Sequence, residues 1–160
     1  MDLLSYFRAE VDTVGRQWRE VLAQIDEASA RRRPAPDLNN AIWLTGHMTW
    51  AEDYFIVEIP SGRSFRRKDW DPLFDFTSEK VPEDQYPAFQ EVRAEYTRVH
   101  AEVQKILAGV NVHELHRPSN AQRRWFPTPA HAIAHQVTHG PYHFGQLMVL
   151  TRLLHSGKSA

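Results

Sequence analysis

The chain has 160 residues, a formal net charge of −1 and no cysteine. That length is enough for one domain, 1–160, with a sizeable core; the balanced charge gives no global pull towards nucleic acid or an anionic membrane, and the missing thiols exclude disulfides, thiolate metal sites and cysteine nucleophiles. No apolar run approaches the roughly 20 residues that span a bilayer, and the N-terminal MDLLSYFRAEVDTVGRQW lacks the basic-then-apolar order of a signal peptide, so a cytoplasmic protein is expected.

Helical periodicity dominates. A first stretch runs from Asp2 to Ala28, with Leu3, Phe7, Val11, Val14, Trp18, Val21 and Ile25 at spacings of three and four, and is stopped by the prolines of Arg31 to Pro36. A second runs from a cap at Asn39 or Asn40 to Ile59, with the stripe Leu44, His47, Met48, Ala51, Phe55, and Pro60-Ser61-Gly62 ends it. Residues 61–81 form a long connection without sustained period. A third helix is expected from Glu83 to Ala108, ahead of Gly109. After a connection over 109–127, the fourth starts at Thr128 with Pro129 in the first turn and continues to His155. Strand signals are nearly absent, so an all-α four-helix bundle with long crossover connections is predicted. The basic clusters Arg31-Arg32-Arg33, Arg66-Arg67-Lys68 and Arg123-Arg124 fall in loops or helix ends, where solvated positions are expected and no nucleic-acid site is built.

The fourth stretch contains HAIAHQVTHGPYHFGQL, with histidines at 131, 135, 139 and 143. Residues four apart on an α-helix share a face, about 6 Å apart along the axis, whereas His131 and His143 are about 18 Å apart. One ion with bonds of about 2 Å to nitrogen can engage one adjacent pair but never all four. A third ligand must then come from His47, His100, His113, His116 or His155. His47 stands out because it occupies an apolar stripe, where an imidazole needs a hydrogen-bond partner or a metal. His113 and His116 flank Glu114 in a loop, lack the HExxH metalloprotease spacing, and are expected at the surface.

HQVTHGPYHFGQL resembles the last-helix signature of the DinB/YfiT-like family, H-x3-H-x3-H-x-G-Q, and NNAIWLTGHMTWAEDYF resembles that family's second helix. The resemblance extends over essentially the whole chain. It implies a four-helix bundle holding a divalent metal on three histidines, here His47, His139 and His143, with His135, Tyr142 and Gln146 as neighbouring groups behind or beside the ligands. It also implies a homodimer, and for some relatives S-transfer with low-molecular-weight thiols such as bacillithiol or mycothiol. Phe144 stands where the family often has Arg, which removes any anion contact that Arg would make. Gly140-Pro141 lies between two of the implied ligands; a kink or π-bulge is expected there, re-aiming His143 relative to His139.

Three neutral imidazoles leave an ion its 2+ charge and an open position, the composition of a catalytic site. Such ligands suit zinc, nickel, iron or copper without choosing among them; zinc or nickel is the expected ion, with iron or copper as the alternatives. The chemistry expected is thiol transfer or hydrolysis on a small molecule; the other reading is a metal-binding stress-response protein without turnover.

Overall fold

The computed structural model describes residues 2–120 and 125–156, except for the side chains of His155 and Ser156. Seven α-helical segments follow in chain order: α1 (Leu3–Leu22), α2 (Glu27–Arg31), α3 (Ala41–Glu52), α4 (Ile59–Ser61), α5 (Asp71–Phe74), α6 (Phe89–Gly109) and α7 (Pro129–Ser156). A π-helical segment, Asp53–Glu58, joins α3 to α4, so residues 41–61 form one rod. α1 and this rod each pack on both α6 and α7, which makes the four-helix bundle. No β-strand occurs among the described residues.

The sequence sets these boundaries through caps. Asn40 Oδ1 accepts the Trp43 backbone N–H at 2.8 Å and opens α3. The rod ends at Gly62, whose φ of 75° is the left-handed closing conformation that glycine takes without a Cβ penalty.

Two helices are shorter than their patterning predicts. α1 stops at Leu22 because Asp26 caps a separate turn, accepting Ser29 N–H at 2.7 Å, and Ile25 reaches the core from the connecting bend. α6 begins at Phe89 rather than Glu83 because Pro87 holds Tyr86 in extended conformation, leaving Glu83–Gln85 as an isolated 3-10 turn.

Of the kink or π-bulge expected at Gly140-Pro141, the π-bulge is absent: α7 runs through it as α-helix. Pro141 is exposed, so its ring faces solvent and α7 forgoes one bond there. Gly140 has a packing reason, since a Cβ at that position would lie 3.3 Å from Val14 of α1 and 3.6 Å from Met48 of α3.

The core is apolar with a polar seam through it. Trp18, Tyr96, Phe89, Ile42, Leu44 and Met48 are fully buried. Among them, His100 donates from Nδ1 to Glu52 at 2.8 Å, and Tyr96 donates to the same carboxylate at 3.3 Å. Gly15 makes room for that histidine, because a Cβ there would lie 2.1 Å from His100 Cε1.

The basic clusters are only partly solvated, against expectation. Arg31 donates to the carbonyls of Glu83, Tyr86 and Pro87, and Arg33 to that of Val81. Arg66 is buried among carboxylates. Arg123 and Arg124 lie outside the described residues.

Candidate metal centre

Three imidazoles from two helices meet where α3 crosses α7. His47 Nε2 lies 3.2 Å from His139 Nε2, which lies 3.1 Å from His143 Nε2. One ligand atom from each of the three falls within 4.8 Å of the others. His47 and His143 are buried and His139 is half-buried, so the cluster opens on the His139 side.

Hydrogen bonds at the far ring nitrogens fix which nitrogen faces inward. His47 Nδ1–H donates to the Phe74 carbonyl at 2.7 Å, an acceptor only, which leaves Nε2 with its lone pair. His143 Nδ1–H donates to Gln146 Oε1 at 3.1 Å, again leaving Nε2 as a lone pair. His139 Nδ1 is buried with no hydrogen-bond partner, and its Nε2 faces both neighbours' lone pairs. Two lone pairs aimed at one nitrogen need a proton or a cation between them. Nitrogens bound to one tetrahedral ion at about 2.0–2.1 Å lie about 3.3 Å apart, close to the separations of His139 Nε2 from its two neighbours, so the residues present fit a divalent ion.

All three rings are held neutral, as metal ligands must be. Burial pushes His47 down to about 4 despite the opposing Phe74 bond, with His143 adding a smaller push. Burial, then the neighbouring His143 and His47, take His139 down to about 2. Burial also lowers His143, against the Gln146 bond.

Aromatic rings enclose the cluster. Trp43 stacks on His47 at 4.5 Å and 8°, and Trp50 lies near-parallel to the same ring at 5.8 Å and 15°. Phe55, from the π segment, packs against His139 and His135. Tyr142 is exposed and edge-on to His143 at 5.0 Å, beside a groove of 540 Å³ that Gln146 and Leu44 also line.

His135 does not join the three. Its ring is exposed, 5.5 Å from His139 and packed on Phe55 and Phe126, and burial of part of it lowers its pKa. His131 is exposed and bonded to Thr128 at the start of α7. His113 and His116 are at the surface, and the His155 side chain lies outside the described residues. Of the five candidates for the third ligand, the structure brings only His47 to the pair among the described side chains, and His100 is taken by Glu52. Phe144 faces elsewhere, packing 6.1 Å from Trp18, so an Arg at this position would point towards α1 rather than the histidines.

Sequence reasoning missed the Phe74 carbonyl and the Trp43 stack. Trp43 is one helical turn before His47 and could have been found from that spacing; a loop carbonyl has no residue signature.

Comparison with known proteins agrees with the fold. The DinB superfamily profile matches residues 10–147. A crystal structure described as the conserved protein of a locus from Enterococcus faecalis superposes with a TM-score of 0.74 at 18% identity, covering 98% of this chain and 99% of that one, which shows the shared fold alone. No match is found among curated proteins. The profile match takes in His47, His139 and His143 and most of the bundle, and the chain therefore belongs to the DinB superfamily.

Proposed function

We propose that the protein binds one divalent metal ion through His47, His139 and His143 and uses it on a small molecule, as a thiol S-transferase of the bacillithiol or mycothiol kind or as a hydrolase. The observation that carries the reading is the convergence of three neutral Nε2 atoms, two of them fixed as lone pairs by outward Nδ1–H bonds. When bound, the ion supplies Lewis acidity at an open position, which acidifies a thiol or water and polarises an electrophile.

The chain's own residues complete the site. Trp43, Trp50 and Phe55 exclude water around the imidazoles, which strengthens electrostatic interactions inside. His135, beside His139 and held neutral at pH 7, is placed to accept a proton from a group entering on the open side. All-nitrogen ligation suits zinc, nickel, iron or copper alike, and zinc or nickel is the ion we assign.

A cytoplasmic homodimer is the setting we assign, and no helix among the described residues is long and apolar enough to cross a membrane. Nucleic acid is not assigned as a partner, because Arg31, Arg33 and Arg66 are spent on carbonyls and carboxylates. A metal-holding stress-response protein without turnover is the second reading, favoured by the aromatic packing against all three histidines.

Elemental analysis of protein purified without an affinity tag tests the first claim: about one zinc or nickel per chain is expected, and a metal-free protein that fails to take up either in dialysis contradicts it. Turnover of electrophiles with bacillithiol, mycothiol or water then separates enzyme from holder.

A further inference from the structure

His47 owes its orientation to a carbonyl on another element. Phe74 closes α5, a single turn in the long crossing between α4 and α6, and its carbonyl takes the His47 Nδ1–H at 2.7 Å. One turn of helix has no stability of its own, since nucleation costs more than its few bonds return. Other contacts must therefore fix where that carbonyl points.

One is steric: the Phe74 ring rests against Gly46, where a Cβ would lie 2.4 Å from its Cδ1. The other is ionic and acts at the opposite end of α5. Both carboxylate oxygens of Asp71 accept from Arg66, at 2.8 Å from Nε and 2.9 Å from Nη2. Arg66 is itself immobilised. Its Nη1 donates at 2.6 Å to Asp53 and at 2.6 Å to Glu58, the first and last residues of the π segment, and its side chain is 4% exposed. The contacts close a ring that leaves the α3 rod at His47, passes through Phe74, Asp71 and Arg66, and returns to the same rod at Asp53.

We infer that Arg66 is a positioning residue of the three-histidine centre: by locking Asp71 to the π segment it fixes the Phe74 carbonyl that keeps the His47 proton on Nδ1 and its Nε2 turned to His139 and His143. Lysine cannot replace it, because a compact ammonium lacks the planar fork that grips both Asp71 oxygens while a third donor reaches Asp53. For its binding readout the inference rests on the metal reading above.

The test compares Arg66→Lys, Asp71→Asn and their double variant with wild type and with Arg8→Ala. The last removes bonds to the carbonyls of Leu107, Ala108 and Val110 and touches nothing in the ring. Zn²⁺ affinity is measured at pH 7 by competition with a chromophoric chelator. Ring ¹⁵N–¹H spectra of the metal-free proteins report which His47 nitrogen carries the proton.

Both single variants are expected to bind Zn²⁺ about 10 to 100-fold more weakly and to show mixed His47 tautomers. The double variant should be no worse than the weaker single, since both break one contact. Arg8→Ala should keep the wild-type affinity and tautomer whatever its melting temperature. Asp71→Asn, the milder change at a side chain 25% exposed, overturns the inference if it keeps wild-type affinity and a pure Nδ1–H tautomer, as does an equal loss in Arg8→Ala. If wild type binds no Zn²⁺, the metal reading fails on its own account and the tautomer alone decides: mixing upholds the role of Arg66, and an unchanged Nδ1–H signal overturns it.

Discussion

At the scale of single residues, burial gives the histidines a pH signature. His47 and His139, held at about 4 and about 2, refuse protons that they accept in the unfolded chain near 6.5. Unfolding therefore takes up protons below 6.5, and the metal-free protein should be fully stable above that pH and lose stability as pH falls towards 4. The slope is about 1.4 kcal/mol per pH unit for each group. Thermal melts between pH 7.5 and 5, in a chelator, should show a falling Tm below 6.5, whereas a flat profile contradicts neutral burial. Substitution along the ladder separates ligand from neighbour. His47→Ala, His139→Ala and His143→Ala should each strip the metal, because each removes one of three protein bonds. His131→Ala should leave occupancy unchanged, and His135→Ala should weaken binding by about 10 to 100-fold at most. Metal-to-protein ratios after purification decide it; loss in His135→Ala with retention in His143→Ala would sink this register.

At the scale of elements, glycines mark where helices come close. Gly15→Ala would drive a Cβ into the buried His100 ring and disturb its bond to Glu52. We expect a loss of about 1–3 kcal/mol, read by urea denaturation, with metal binding intact once folded; an unchanged midpoint contradicts the close approach. The same scale shows what the sequence made legible. Asn40 as a cap and the stop at Gly62 were readable because each depends on local residue type and helical spacing; spacing limited the histidine ladder to one adjacent pair, and the family resemblance selected His139 and His143 from it. The third ligand was narrowed by His47 lying in an apolar stripe, and the family resemblance selected it. A kink or π-bulge was expected at Gly140-Pro141, and the π segment lies instead at Asp53–Glu58. Proline marks where a backbone bond is lost, whereas this π segment carries two of the carboxylates that hold Arg66, and that partnership across a loop has no local signature.

At the scale of the whole molecule, the outer side of α7 is unusually apolar. Tyr142, Val149 and Leu153 are 65%, 54% and 43% exposed at helical spacing, next to Leu38 at 40%. Pairing this face with a second copy would remove it from water. We expect a dimer by light scattering at micromolar concentration, and Val149→Glu should yield a folded monomer. A monomeric mass unchanged over a tenfold concentration range removes the assignment.

The placement of His47 beside Trp43 and Trp50 gives the protein a built-in optical reporter. Two of its five indoles are near-parallel neighbours of one histidine ring, so a cation arriving there changes the field on both. Zn²⁺ should shift the intrinsic fluorescence, and Ni²⁺ or Cu²⁺, with open d shells, should quench it, with a break at one equivalent. His47→Ala should silence the response while leaving both tryptophans in place; a response that survives that substitution locates the ion elsewhere.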